Sequence, residues 1–200
     1  MSFKTKKYQV IRRALPVELA NFIFNYMLVQ RDAVDYLRKH GKITQPNFFI
    51  GRRDDPQVSG CYAKYSDWAM ETLLIYMLDI MKKKTGLELV PTYTYTRLYE
   101  KGNVLKRHKD RPSCEVSTTL HLGGNEWDIY LEPNKKIRLK QGDMLIYAGQ
   151  ELEHWREPFE GEVCSQVFLH YNHANGPYAK TNFLDGRPLL GLPNIFRKKT

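Results

Sequence analysis

The apolar positions in the first forty residues change from alternation to helical spacing. Tyr8 to Arg12 alternates apolar and polar residues and predicts a short strand. A helix is then predicted from Pro16, near its first position, to about His40, just before Gly41. Its apolar positions recur at helical spacing at Leu19, Phe22, Ile23, Tyr26, Met27 and Val34. We expect this helix to support the core.

A second helix is predicted after a stretch without periodicity. Residues 42–65 are rich in Pro, Gly, Asp and Arg, and they predict a long loop that is either a functional lid or a solvated connector. Ser66 is a favourable N-cap for a helix that runs to about Lys84. Its apolar stripe consists of Met70, Leu74, Met77, Leu78 and Met81. A stripe of this kind is typical of a helix that packs against a core.

After Gly86 the period of the pattern falls to two, which predicts strands. The first, Leu87 to Tyr99, alternates threonines with larger polar residues. Shorter strands follow at Val104–His108, Val116–Leu122, Trp127–Leu131, Lys136–Lys140, Met144–Tyr147, His154–Glu157 and Val163–Tyr171. Short strands separated by regular turn signals indicate an antiparallel sandwich or barrel. The predicted fold class is therefore mainly β, with supporting α-helices that buttress one sheet.

The length of 200 residues fits one domain. Within a single domain 1–200, we expect helical support in residues 1–86, the β-core in residues 87–171 and a tail in residues 172–200. The three cysteines are widely spaced, so they indicate neither a disulfide framework nor a cysteine zinc site. The first residues lack an apolar signal segment, and no stretch approaches a membrane-spanning run. We expect a soluble, intracellular, cytoplasmic protein without a membrane partner.

The chain is basic, with a net charge of +9. Such a balance indicates either an acidic partner, such as nucleic acid, or a basic solvated surface. The basic residues are scattered, and the densest block is Arg197-Lys198-Lys199. The surface interpretation is therefore favoured, and nothing in the sequence fixes an oligomeric state.

One pair of motifs carries candidate metal chemistry. In His108-Lys109-Asp110, a histidine and a carboxylate two residues apart can offer a nitrogen and an oxygen to the same metal ion. His154, on a later predicted strand, can complete a three-point face. The alternatives are a surface histidine at 108 and a hydrogen-bonded strand histidine at 154. The position of both motifs among the strands favours a metal site formed by His108, Asp110 and His154.

Further motifs carry a resemblance to a known family. They are Tyr99, Leu120-His121-Leu122, Gly142-Asp143-Met144-Leu145-Ile146-Tyr147, Gly161 and Gln166-Val167-Phe168-Leu169-His170-Tyr171, together with the metal motifs. Over about residues 8–172 the chain resembles the iron(II)- and 2-oxoglutarate-dependent dioxygenases, specifically the prolyl 4-hydroxylase-like branch. The resemblance implies a double-stranded β-helix, the cupin-like jelly-roll barrel, with iron held by His108, Asp110 and His154. It also implies hydroxylation of a C–H bond with O2 and 2-oxoglutarate as co-substrates, and succinate and CO2 as co-products.

The chain departs from this family at the usual anchor of 2-oxoglutarate. In much of the family a Lys or Arg nine to twelve residues after the distal histidine binds the far carboxylate, whereas here Val163-Cys164-Ser165-Gln166 holds no cation. Arg156 shares a strand face with His154 and is the predicted anchor, because a guanidinium can bind a carboxylate bidentately. The alternative for Arg156 is an ion pair with Glu157 or Glu160 at the barrel rim.

Other residues are predicted to line the same pocket. Arg97 is the second candidate anchor, and it shares a face with Tyr99, which matches the family tyrosine before His-x-Asp. Ser117 and Thr119 are predicted to add hydroxyl donors to the co-substrate. Arg111, directly after Asp110, is predicted to contact the substrate. His121, His170 and His173 have no place in the ligand set and are interpreted as structural.

Three functions remain open at this stage. The resemblance favours hydroxylation of a protein or peptide side chain, with proline as one case, or of a small molecule. Oxidative demethylation of nucleic acid is less favoured, because the alkyl-repair branch carries two spaced arginines after the distal histidine and Val163–Tyr171 has none. The third function is a jelly-roll that binds a metal or ligand without turnover.

Overall fold

The computed structural model describes residues 3–44 and 47–198. The helices are α1 Phe3–Lys6, α2 Val17–Lys39, α3 Trp68–Tyr76 and α4 Leu78–Thr85. The strands are β1 Tyr8–Ile11, β2 Tyr62–Tyr65, β3 Leu89–Glu100, β4 Leu105–His108, β5 Val116–Gly124, β6 Ile129–Leu131, β7 Lys135–Ile137, β8 Met144–Tyr147, β9 His154–Arg156 and β10 Val163–His173. Short 3₁₀ turns lie at Pro112–Cys114, Phe183–Gly186 and Asn194–Phe196.

The strands form two antiparallel sheets that face each other. The large sheet has the order β1-β8-β5-β10-β3-β2, and the small sheet has the order β4-β9-β6-β7. Ile129 and Leu131 of the small sheet pack against Leu145 and Tyr147 of the large one. The predicted fold class, a mainly β jelly-roll with supporting helices, is confirmed. The described strands form two separate sheets rather than one closed barrel.

The helices cover the outer face of the large sheet. Met27 of α2 and Leu74 of α3 pack in one apolar cluster with Leu120 of β5 and Val167 of β10. Burial of each large apolar side chain contributes roughly 2 kcal/mol to folding. Because side chains alternate along a strand, this outward apolar face leaves the neighbouring polar residues of β5 and β10 facing the small sheet.

The second predicted helix differs in its start and in its continuity. Its N-cap is Asp67, whose Oδ1 accepts a hydrogen bond from the Ala69 backbone N–H at 2.9 Å. Ser66 adopts a left-handed backbone with φ of 53°, and its hydroxyl donates to Glu71 at 2.8 Å. The helix divides into α3 and α4 at Met77, which is itself fully buried. The apolar stripe therefore reaches the core although the predicted single helix was wrong.

The predicted loop 42–65 and tail 172–200 also differ in detail, and residues 45–46 and 199–200 lie outside the described residues. The loop ends in strand β2, which pairs with β3, and an isolated bridge joins Arg52 to Ala63. The sequence pattern did not predict β2, because a strand of four residues is too short to show a reliable period. The strand is defined by its hydrogen bonds to β3. At the other boundary, β10 continues to His173. None of the helices in the described ranges is long and apolar enough to cross a membrane.

The N-cap provides a test of the local structure. Asp67 is buried and also binds Lys64 at 2.8 Å, so Asp67→Ala removes a cap and leaves a cation without its partner. We expect this variant to lose about 2–4 kcal/mol of the free energy of unfolding in urea denaturation. The matched variant Asp79→Ala, at an exposed position in the first turn of α4, should lose less than about 0.5 kcal/mol. Equal losses would contradict this assignment of the cap.

Candidate metal centre

Two neighbouring strands of the small sheet bring the predicted metal residues together. His108 ends β4, His154 begins β9, and the two are paired in register. Asp110 follows two residues after His108, and its backbone N–H donates to the Gly149 carbonyl at 2.8 Å. One ligand atom from each of His108, Asp110 and His154 lies within 4.8 Å of the others. The group can therefore hold a single metal ion.

The two oxygens of Asp110 have different surroundings. Oδ1 lies 3.7 Å from His108 Nε2 and 3.5 Å from His154 Nε2, whereas Oδ2 accepts a hydrogen bond from Ser117 Oγ at 2.9 Å. Burial raises the pKa of the Asp110 carboxyl, but the neighbouring His108 and His154 lower it by more, so its pKa lies below the ordinary range. The carboxylate is the form that binds a metal.

The backbone fixes which nitrogen of each imidazole is available. His108 Nδ1 lies 2.7 Å from the Lys106 carbonyl, and His154 Nδ1 lies 3.1 Å from the Leu152 carbonyl. A carbonyl accepts a hydrogen bond, so each Nδ1 donates to the backbone, and Nε2 is the nitrogen that each ring turns toward Asp110. Such outer hydrogen bonds orient histidines that bind metals.

A second layer of side chains supports Asp110. Ser117 Oγ also lies 2.9 Å from His170 Nδ1. The hydroxyl has one proton, and it is donated to Asp110. In the second hydrogen bond His170 Nδ1 must therefore be the donor and Ser117 Oγ the acceptor. Burial lowers the pKa of His170 to about 4, which keeps the ring neutral at physiological pH. A Cβ atom at Gly149 would overlap Asp110 Oδ2 and Ser117 Oγ. The sequence interpretation missed this role of His170, although period two along β10 places it on the inner face.

The metal group opens onto a cavity of about 550 Å³ between the sheets. Its wall is rich in aromatic side chains, namely Tyr65, Tyr93, Tyr95, Tyr147 and Phe168. The segment before β2 also reaches this cavity through Asp55 and Gln57. The cavity therefore has room for a ligand beside the metal residues.

Two predicted arginines line this cavity, and both have acidic partners. Arg97 donates from Nε to Asp55 at 3.0 Å and from Nη2 to the same carboxylate at 3.1 Å. Arg111 binds both oxygens of Asp185 at 2.7 Å, and its guanidinium carbon lies 4.4 Å from the ring centre of Tyr93. The C-terminal segment is thus tied to the residue that follows Asp110.

Arg156 lies deeper, and its charge has no acidic partner among the described residues. Its Nη1 donates to the Trp127 carbonyl at 2.5 Å, and its Nη2 donates to Thr119 Oγ1 at 3.2 Å. Arg156 is 0% exposed, and within the described chain its Nε has no hydrogen-bond partner. The ion pair expected of the alternative, with Glu157 or Glu160, is not formed there. A buried cation without a partner costs several kcal/mol, so the site favours an anionic ligand.

Neutral polar groups surround this guanidinium. Thr119 Oγ1 donates to Gln166 Oε1 at 2.9 Å, and Gln166 Nε2 donates to His121 Nδ1 at 2.9 Å. Burial lowers the pKa of His121 to about 4, so this ring adds no charge. The buried hydroxyl of Tyr99 has no hydrogen-bond partner in the part of the chain that the structure describes. We call Arg156, Thr119, Gln166, His121 and Tyr99 the inner polar cluster.

The inner polar cluster lies behind the cavity rather than on its surface. Arg156, Thr119 and Tyr99 are not among the described residues that line the cavity, whereas Arg97 is. Arg156 nevertheless lies two residues from His154 on β9, and both side chains are buried between the sheets. The free cation and one of the three metal residues are thus supplied by the same strand.

Comparison with known proteins identifies the fold. No protein-family model and no curated protein sequence match the chain. The prolyl-4-hydroxylase of Pseudomonas putida superimposes with a TM-score of 0.62 at 16% identity, covering 86% of this chain and 95% of that chain. HygX from Streptomyces hygroscopicus, with nickel and 2-oxoglutarate bound, gives 0.61 at 12% identity, with coverage of 86% and 85%.

A third similar structure is SnoN, a non-heme alpha ketoglutarate dependent epimerase from nogalamycin biosynthesis. It gives a TM-score of 0.65 at 12% identity and covers 96% of this chain and 91% of that chain. At these identities the comparisons establish that the chain has the fold of 2-oxoglutarate-dependent oxygenases. A shared fold does not by itself imply a shared activity.

The support of Asp110 can be tested through metal affinity. We expect Ser117→Ala to weaken binding of Co(II), which reports its ligands in the visible spectrum, by about 10- to 100-fold, because Asp110 loses its only described hydroxyl donor. The matched variant Ser165→Ala removes a buried hydroxyl that has no partner in the described chain, and it should bind Co(II) like the wild type. Equal affinities in all three proteins would show that Ser117 does not position the carboxylate.

Proposed function

We propose that the chain is an oxidoreductase of the Fe(II)- and 2-oxoglutarate-dependent class that hydroxylates a C–H bond. The observation that carries this proposal is the set of two imidazoles and one carboxylate, from His108, His154 and Asp110, within 4.8 Å of one another beside a cavity. Two histidines and a carboxylate on one face are the donor set of non-haem Fe(II) oxygenases, and they leave the other coordination positions open.

The fold neighbours support the choice of cofactors. HygX binds 2-oxoglutarate together with nickel, and a viral collagen prolyl hydroxylase from Paramecium Bursaria Chlorella virus-1 also binds 2-oxoglutarate. When bound, Fe(II), 2-oxoglutarate and O2 supply the oxidising chemistry, with succinate and CO2 as co-products. The protein supplies two imidazoles, the oriented carboxylate and a cavity that holds the substrate against them.

Arg156 is the proposed anchor for the far carboxylate of 2-oxoglutarate. Its guanidinium is fully buried, and no acid neutralises it in the described chain. Thr119 and Tyr99 add hydroxyl groups near it, and a bidentate guanidinium–carboxylate pair would use the free Nε. Arg97, the second candidate, borders the cavity but is already paired with Asp55. This pairing favours Arg156.

The proposed substrate is a protein or peptide side chain, with a prolyl residue as the leading case. The support is the fold shared with the Pseudomonas putida and viral prolyl hydroxylases, together with the aromatic wall of the cavity. Arg111 lines the cavity next to Asp110 and is the proposed substrate contact. Its ion pair with Asp185 would hold the guanidinium in place for that contact.

The activity can be tested without knowing the substrate. Under anaerobic conditions, Fe(II) and 2-oxoglutarate together should produce a visible metal-to-ligand charge-transfer band, and O2 should then release succinate. Asp110→Ala removes a metal ligand, so the band and the succinate should both be lost. Bound iron without a band in the wild type would contradict the proposal, and so would unchanged succinate release by the variant.

The anchor can be tested by equilibrium titration with 2-oxoglutarate. We expect Arg156→Leu to weaken 2-oxoglutarate binding by about 100-fold while Fe(II) affinity is unchanged, since charged hydrogen bonds of this kind contribute roughly 2–3 kcal/mol. A 2-oxo acid that lacks the second carboxylate should bind both proteins equally. The control is the double variant Arg97→Leu/Asp55→Leu, which replaces an ion pair with apolar side chains. If only this control loses 2-oxoglutarate affinity, Arg97 is the anchor instead.

A further inference from the structure

Helix α2 carries a second apolar stripe that is largely exposed, with one member, Tyr26, also packed against the core and hydrogen-bonded to Asp67. The buried side of the helix consists of Ala20, Ile23, Met27 and Val34. A separate set, here called the outer stripe, is spaced alternately by three and four residues at Leu19, Phe22, Tyr26, Val29, Ala33 and Tyr36. Phe22 is 70% exposed, Val29 is 68% exposed and Tyr36 is 62% exposed. Large apolar side chains aligned along one exposed helix face mark an interaction surface.

The spacing of the outer stripe identifies the shape of its partner. Alternation of three and four residues is a heptad repeat, which brings one face of a helix against a second helix over its whole length. The stripe extends from Leu19 to Tyr36 of the 23-residue helix α2. It therefore presents more than two heptads, enough to align one helix along it.

The charges beside the stripe identify the partner as a second copy of the same helix. Four exposed residues follow one edge of the outer stripe at intervals of seven: Glu18, Asn25, Asp32 and Lys39. The acidic end is thus near the start of the helix, and the basic end is at its last residue. Such edge positions form the ionic pairs that select partner and direction in paired helices.

We propose that two copies of this chain associate through the outer stripes of α2, with the two helices antiparallel about a two-fold axis. This arrangement places Glu18 of each copy opposite Lys39 of the other, and Asn25 opposite Asp32. A parallel arrangement would instead place this edge against the other edge of the partner helix, where Ile23, Gln30 and Leu37 offer no charge to pair with. Antiparallel helices also align their dipoles favourably.

The same register brings the apolar residues together. Val29 of one copy packs against Tyr26 of the other next to the two-fold axis, and Leu19 packs against Tyr36 at each end. The contact is isologous, so the surface is complementary to itself and the assembly closes at two copies. It does not depend on the proposed function, because α2 packs on the outer face of the large sheet and the metal residues lie on the inner side.

The oligomeric state tests the proposal directly. Sedimentation equilibrium of the full chain should give the mass of a dimer at about 10–100 μM. Val29→Glu places two carboxylates next to the axis and should shift the protein to the monomer, with an unchanged circular dichroism spectrum. Leu189→Glu is the matched control, because Leu189 is 65% exposed outside α2, and this variant should remain a dimer. A monomeric wild type at 100 μM, or a dimeric Val29→Glu variant, would overturn the proposal.

Charge reversal tests the direction of the helices. Glu18→Lys and Lys39→Glu should each weaken dimerisation by about tenfold or more, because each puts like charges opposite one another at both symmetry-related pairs. The double variant Glu18→Lys/Lys39→Glu restores opposite charges and should recover the wild-type dissociation constant. If the double variant stays as weak as the single ones, the antiparallel register is wrong.

Discussion

The Asp110 side chain is only 15% exposed, and each of its oxygens must find a partner of a different kind. One oxygen faces the imidazoles of the metal group, and the other accepts the hydroxyl proton of Ser117. That second contact requires a close approach of the chain at Gly149, where a side chain would overlap the carboxylate. It also requires His170 to lie opposite Ser117, as the pairing of β10 with β5 provides. The metal group, on the small sheet, is thus held by the large one.

Buried arginines that pair with an acid have a structural role, whereas a buried arginine without an acidic partner is a candidate for binding a ligand. Arg97 is neutralised by Asp55, and Arg187 by Glu71, each within hydrogen-bond distance. A buried ion pair of this kind adds little net stability, but removing only one of its two charges is costly. Arg156 has only neutral acceptors in the described chain. An anion that completes this site would therefore stabilise the folded protein, and ligand binding and stability would be coupled.

The sequence predicted the elements better than their contacts. Period two located the strands, and the spacing of the histidines and the aspartate, together with the family resemblance, grouped His108, Asp110 and His154. The support of Asp110 by Ser117 and His170 was not predicted, because it arises from the register of two strands far apart in the chain. Local periodicity carries no information on such a register. The same limit explains the missed ion pair between Arg97 and Asp55, which joins β3 to a segment without periodicity.

Helix α2 connects these features, because it has three surfaces with different tasks. Its buried face packs on the large sheet, whose inner side supports the metal residues. On one flank of the helix, Asp35 binds Arg53, which belongs to the segment that borders the cavity. The outer stripe is left for a partner, and a helix fixed on its other two surfaces loses little conformational entropy when the third is covered. A dimer built on this face would leave both cavities free, since each lies on the far side of its own large sheet.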